Sequence, residues 1–180
     1  MLFRSQCRLG DLDDLLHGAP LESLEVDGSN VVVDAHDPSA WFDVFHAFPR
    51  LEKVYVKYLS SVENFKAFWS GLRKASSVGI VDHVIRPTTG DHGPPRPHIR
   101  HIGFSLWFTE DLIEPSFNLA TEEMLLYLRE RSMVGARLEL LKWDRLVGSI
   151  SLHPQVVDAT RALLARLERE GLVGEVVVVE

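Results

Sequence analysis

The sequence predicts one α/β domain spanning all 180 residues, folded as a curved solenoid with a parallel sheet and helices on one side. Three observations lead to this fold class. A hexamer with apolar residues at its first, fourth and sixth positions recurs along the chain. A helical pattern of apolar residues precedes most copies. The order helix then strand makes each helix the return path to the next strand, which produces parallel strands.

The hexamer begins at Leu21 and returns thirty residues later at Leu51. Side chains alternate along an extended chain, so the fourth and sixth residues lie on one face of a strand. The first, fourth and sixth residues of the copies are Leu21, Leu24 and Val26; Leu51, Val54 and Val56; Ala75, Val78 and Ile80; Ile99, Ile102 and Phe104; Leu138, Leu141 and Trp143; and Val173, Val176 and Val178. Each copy predicts a short strand with one buried face.

Apolar residues at helical spacing precede five of these copies, as in the run Phe65, Phe68, Trp69 and Leu72 before the third. Residues such as Pro49 and Gly171 separate helix from strand, where helix-ending chemistry is expected. The fourth copy instead follows a segment rich in proline and glycine over residues 86–98. This composition predicts an irregular, exposed loop.

Two alternatives to the solenoid stay open at this point. Apolar residues at three fixed positions can recur by chance in a chain that is 46% hydrophobic. The turn sequence over residues 27–30 also favours a β-hairpin that joins 21–26 to 31–33. A second hairpin would join 137–142 to 147–152, and residues 99–180 would then form an α+β ferredoxin-like half, with the whole chain a possible duplication.

The composition excludes several functional classes. A net charge of −7 with no concentrated basic patch predicts that the chain does not bind nucleic acid. No apolar stretch is long enough to cross a bilayer, and no secretion signal precedes Leu9, so we expect no membrane partner. The single cysteine, Cys7, is typical of a reducing compartment. We therefore expect a cytoplasmic or nuclear protein.

The helix-to-strand junctions over residues 15–24 and 45–54 resemble those of leucine-rich repeats, and more narrowly the irregular repeat tails of fungal F-box-like proteins. The resemblance implies a partner-binding surface that recognises substrates for a ubiquitin ligase. The chain departs from the family at the ninth position of the motif, where Asn or Cys is usual and where this sequence has Ser29, Leu59, His83, Trp107 and Leu146. The residues before Leu9 are also too few for an F-box, so coupling to a ligase would need sequence outside this chain.

The most concentrated reactive residues flank the proline-rich segment, and they comprise Asp82, His83, Asp91, His92, His98 and His101. Imidazoles and carboxylates are ligands for zinc or iron, which makes a metal-dependent enzyme an alternative function. Solvated polar groups of a loop are the simpler interpretation, because proline-rich loops do not hold ligands rigidly. The sequence carries no nucleophile elbow, phosphate loop or dinucleotide fingerprint, so we expect neither a catalytic residue nor a cofactor.

The residues between the apolar positions of each hexamer should face away from the helices. For the third copy these residues include Ser76 and Ser77. The outward residues that we expect to bind a partner are Glu25, Tyr55, Lys57, Arg100, His101 and Lys142. A surface of mixed charge with a tyrosine near its centre suits a protein or a peptide better than a small apolar ligand. The sequence therefore predicts a protein-interaction module.

Overall fold

A computed structural model describes residues 7–9, 11–16, 19–28, 31–32, 39–59, 61–77, 98–106, 114–145 and 154–179. The strands are β1 (Cys7–Arg8), β2 (Ser23–Asp27), β3 (Val31–Val32), β4 (Lys53–Leu59), β5 (His101–Leu106), β6 (Leu138–Arg145) and β7 (Val173–Val179). The helices are α1 (Asp11–Leu16), α2 (Ala40–Ala47), α3 (Val62–Ser77), α4 (Glu114–Met133) and α5 (Pro154–Glu170). The predicted α/β class is confirmed.

The main sheet has five strands in the order β2-β4-β5-β6-β7, and all four neighbouring pairs are parallel. The strands therefore lie side by side in the order in which they occur along the chain. β1 and β3 form a separate, short parallel pair. Because parallel neighbours need a connection that returns to the starting edge, the chain between β6 and β7 runs back through α5, and Gly171 ends that helix with a φ of 60°.

The register of the sheet aligns the apolar positions of the hexamers. Leu24 pairs with Val54, Val54 with Ile102, Ile102 with Leu141, and Leu141 with Val176. The sixth positions align in the same way, from Val26 through Val56, Phe104 and Trp143 to Val178. Two continuous apolar rows thus cross the sheet on one face, although Val178 at the end of its row is 45% exposed.

Helices cover this face through an aromatic core. Phe65 and Trp69 of α3 contact Phe104 of β5 with ring centroids 5.2 and 6.0 Å apart. Phe104 also packs edge to face on Trp143 at 4.6 Å. The rings of Trp41, Phe45, Phe68 and Tyr127 extend the cluster through α2, α3 and α4, and all are at most 1% exposed. Such edge-to-face contacts add to the stabilisation from burial alone.

The third predicted strand is wrong. Ala75 lies within α3, and β4 pairs directly with β5, so no further strand stands between them. Ser76 is also helical, and its hydroxyl donates a hydrogen bond to the carbonyl of Leu72. Ala75 follows Leu72 by three residues, so it continues the apolar helical spacing of α3 as well as beginning the hexamer. Val78 and Ile80 lie outside the described residues.

The ferredoxin-like alternative is also wrong. A ferredoxin-like sheet needs antiparallel hairpins, whereas β2 pairs with β4 and β3 pairs with β1, both in parallel. The predicted second hairpin cannot form on β6, because the parallel strands β5 and β7 already occupy both of its edges. Residues 147–152 lie outside the described residues, as does the predicted loop over 86–98 except for His98.

Among the described residues, no helix is both long enough and apolar enough to span a bilayer.

We predict that Leu24→Ala lowers the free energy of unfolding by about 2–4 kcal/mol, because it opens a cavity beneath a side chain that is 5% exposed. Leu119→Ala, at a leucine that is 64% exposed, is the matched control and should change stability by less than about 0.5 kcal/mol. Urea unfolding of both variants measures the difference. Equal losses for the two would remove Leu24 from the core.

Candidate functional site

The face of the sheet opposite the helices carries polar side chains in register, and we call it the open face. Its middle row runs from Glu25 through Tyr55, Gly103 and Lys142 to Val177. On either side lie a row that begins at Ser23 and ends at Glu175, and a row that begins at Asp27 and ends at Val179. Most of these side chains are partly or fully exposed, because alternation along each strand places them away from the core.

The ring of Tyr55 lies across the neighbouring strand at Gly103. A β-carbon placed on Gly103 would lie 2.5 Å from Cδ2 and 3.0 Å from Cε2 of Tyr55. It would also lie 3.3 Å from Cβ of Lys142, on the next strand. Glycine inside a strand usually marks a close approach, and here the missing side chain makes room for the aromatic ring. The Cδ2–Cε2 edge of the Tyr55 ring therefore occupies the space above Gly103, at the centre of the open face.

Two ammonium groups lie within cation–π distance of the Tyr55 ring. The Nζ atoms of Lys142 and Lys57 lie 5.0 and 5.5 Å from the centroid of the Tyr55 ring. At these distances each cation is attracted by the negative face of the ring. These contacts and the space above Gly103 together favour one position of the Tyr55 ring on the open face.

Carboxylates balance both lysines. Lys57 forms an ion pair with Glu25 on β2, and the hydrogen bond from this pair raises the pKa of the Lys57 ammonium above its usual value. Lys142 forms an ion pair with Asp144, two residues along the same strand, with Nζ 3.2 Å from Oδ1. The centre of the open face thus has two ammonium groups, each paired with a carboxylate.

Asp144 is the more buried partner, with 19% of its side chain exposed. Lys142 donates its hydrogen bond to Oδ2 at 3.3 Å, and Oδ1 receives no hydrogen bond from the described residues. Burial raises the pKa of the Asp144 carboxyl because the charged form loses solvation. The ionised carboxylate is therefore held at a cost in stability that its single lysine only partly offsets.

A bulge in β4 borders the site at the carboxyl ends of the strands. Lys57 and Tyr58 together oppose Ser105 of β5, and Tyr58 has a φ of 54°. The Ser105 hydroxyl accepts a hydrogen bond from the Tyr58 amide at 2.9 Å, and the Lys57 carbonyl accepts one from the Gly28 amide at 2.7 Å. The extra residue returns Leu59 to the buried face while Lys57 stays on the open face.

The remaining predicted binding residues lie at the amino ends of the strands, which we call the entry edge of the open face. Arg100 and His101 both face Glu139, with Arg100 Nη1 3.3 Å from Oε1 and His101 Nε2 3.4 Å from Oε2. All three side chains are more than one-third exposed, so this cluster contributes little to stability and is accessible to a ligand.

The structure brings the six predicted binding residues onto one continuous surface. Glu25, Tyr55 and Lys142 share the middle row, Lys57 follows Tyr55 toward the carboxyl end, and Arg100 and His101 border the entry edge. The expectation that they bind a partner stays a prediction. Sequence reasoning overlooked Gly103, although a glycine inside a strand pattern, in the fifth position of a hexamer like Tyr55, was a usable signal.

The predicted metal ligands are largely beyond the described residues. Asp82, His83, Asp91 and His92 fall outside them, and His98 is exposed just before β5. His101 faces Glu139 rather than a second imidazole. Within the part of the chain that the structure describes, no group of three or more His, Cys, Asp or Glu side chains is arranged to hold a metal ion.

The chain matches no protein-family model, and no curated protein or solved structure is significantly similar to it.

We predict that Gly103→Ala destabilises the parent chain by about 1–2 kcal/mol, because the new methyl group collides with the Tyr55 ring. In a Tyr55→Ala background the same substitution should be neutral or stabilising, since alanine is ordinarily favoured over glycine in a strand by about 0.5–1 kcal/mol. Chemical unfolding of the four proteins in this double-mutant cycle measures the coupling. Additive effects would show that the ring does not occupy the space above Gly103.

We predict that Asp144→Asn raises the free energy of unfolding at neutral pH by up to about 1 kcal/mol, because it removes a partly buried charge. The unfolded carboxyl titrates near 3.8 and the folded one at higher pH, so the folded state binds more protons in that window. Stability of the parent therefore falls as pH rises through the window, and the advantage of the asparagine variant disappears below it. A variant less stable than the parent at neutral pH would mean that the Lys142 pair outweighs desolvation.

Proposed function

We propose that this chain is a protein-interaction module whose open face binds a protein or a peptide. The observation that carries the proposal is the Tyr55 ring, which lies over Gly103 with the ammonium groups of Lys57 and Lys142 5.5 and 5.0 Å from its centroid. Tyrosine is enriched among residues that dominate binding energy, because its ring offers apolar area and its hydroxyl offers a hydrogen bond. A ring that is already restrained loses little conformational entropy when a partner covers it.

The charges around Tyr55 support a polar macromolecular partner. Interfaces commonly place an aromatic anchor at the centre and charged groups at the rim, where they steer association and fix orientation. Here the rim alternates in sign, from Glu25 and Lys57 on one side to Lys142 and Asp144 on the other. A net charge of −7 argues against a nucleic-acid backbone as the partner.

The finer architecture that we propose is a curved solenoid similar to leucine-rich repeats. Support comes from a hydrogen-bonding pattern that recurs at three strand entries. The carbonyl of Glu22 accepts from the amides of residues 52 and 53, that of Glu52 from residues 100 and 101, and that of Arg100 from residues 139 and 140. In each case the acceptor is the second residue of a hexamer, as expected when equivalent units stack.

The resemblance to F-box-like repeat tails makes recognition of a ubiquitin-ligase substrate the most specific form of this proposal. In that form the open face would select the substrate, and the ligase would be recruited through sequence outside this chain. Cytoplasmic or nuclear residence, expected from the single cysteine, is compatible with such a role.

We predict that Tyr55→Ala weakens binding to a captured partner by about 30-fold, which corresponds to about 2 kcal/mol, while the fold persists. Tagged parent, Tyr55→Ala and the control Leu119→Ala are compared by pull-down and mass spectrometry from cells that express the chain. Calorimetry with the identified partner then measures affinity. The supporting result is a protein retained by the parent and by Leu119→Ala but lost with Tyr55→Ala.

The proposal fails if Tyr55→Ala, Lys57→Ala and Arg100→Ala all bind the partner as tightly as the parent. Circular dichroism and a thermal melt of each variant separate lost binding from lost folding. Because Tyr55 is only partly buried, its replacement by alanine should leave the folded spectrum unchanged.

A further inference from the structure

Carboxylates of the same chain already neutralise most cations of the open face. Lys57 and Lys142 each have the carboxylate partner described above, and Arg100 pairs with Glu139 at the entry edge. Lys53 is the one lysine of this face that forms no ion pair within the described residues. An anion on a partner would therefore have to displace an internal carboxylate from most of these cations.

Three carboxylates of the same surface form no ion pair within the part of the chain that the structure describes. Glu22 and Glu52 are the second residues of the first two hexamers, and Glu175 lies on β7. A side chain at the second position can reach the open face, since Oε2 of Glu139 lies 3.4 Å from Nε2 of His101. The unpaired charge of this surface is thus mainly negative, and it has the same sign as the net charge of −7.

Two of these carboxylates are neighbours at the entry edge. The carbonyl of Glu22 accepts hydrogen bonds from the amides of Glu52 and Lys53 at 2.9 and 3.0 Å. The two glutamates therefore extend from adjacent strands, which are about 5 Å apart. Like charges at this separation repel each other, and a cation bound beside both would relieve the repulsion.

We propose that the partner of the open face presents a basic segment, whose cations pair with Glu22, Glu52 and Glu175 while an apolar side chain packs on Tyr55. The inference rests on the proposed function, because it names the chemistry of a partner for that same surface. Charge complementarity steers association and rejects partners of the wrong sign. An acidic segment would meet three unpaired carboxylates and lysines that already have counter-ions.

The spacing of the strands sets where the cations of the partner should lie. Glu175 is on β7, three strands beyond Glu52 on the β4 side of the sheet, which corresponds to about 14 Å. An extended segment advances by about 3.3 Å per residue, so basic residues about four positions apart would match this distance. The side chains between them would cross Tyr55 and the half-buried Leu140.

Selection of peptides from a random library on the immobilised chain tests the charge of the partner. We expect arginine and lysine to be enriched over aspartate and glutamate in the peptides that the parent retains and Tyr55→Ala does not. A selected peptide should bind Glu52→Gln about 3–5-fold more weakly than the parent, as expected for one exposed ion pair. Glu168→Gln, which removes the same charge from an exposed position on α5, is the matched control and should bind like the parent.

The outcomes separate this inference from the proposed function. Selected peptides that depend on Tyr55 but are acidic or uncharged would overturn the basic partner and leave the proposed function standing. Basic peptides that bind Glu52→Gln and Glu168→Gln equally well would do the same. A library from which the parent retains no peptide that depends on Tyr55 would overturn both. Thermal melts of each variant separate lost binding from lost folding.

Discussion

The register of the parallel ladder is the constraint on which the rest of the structure depends. It aligns Leu24, Val54, Ile102 and Leu141 in one row and Val26, Val56, Phe104 and Trp143 in the next. Because side chains alternate, a shift of one residue in any strand would turn its apolar pair toward solvent. The helices pack on these rows through rings, so the aromatic core has a continuous surface only while the register holds.

The same alternation of side chains along each strand produces the open face, whatever packs on the other side of the sheet. Every residue that is not turned inward lies beside its counterpart on the next strand, as Tyr55 lies beside Gly103. Diagonal neighbours are also within reach, and Glu25, which pairs with Tyr55, contacts Lys57 two residues further along. The bulge at Tyr58 keeps this arrangement at the carboxyl ends, since it restores Leu59 to the core after Lys57 has faced outward. A residue in a strained conformation is thus maintained by burial of the next one.

Charged pairs connect the helices that the core brings together. Arg73 of α3 contacts Glu123 and Glu130 of α4, and Arg129 of α4 contacts Glu170 of α5. These pairs are partly exposed, so they fix the relative position of the helices more than they stabilise the fold.

The sequence by itself determined the α/β class, the parallel strand order from β4 to β7 apart from the third hexamer, and the face on which Tyr55, Lys57 and Lys142 lie. These features follow from the period of the apolar pattern, which is local and can be recognised in a single sequence. Only the tertiary structure decided that residues 75–77 continue α3, because Ala75 fits both the helical spacing from Leu72 and the start of a hexamer. It also decided that the Tyr55 ring occupies the space above Gly103 and that burial removes part of the solvation of Asp144. Both depend on which strands become neighbours, and pairing across 39 or more residues is set by packing of the whole core rather than by any local signal.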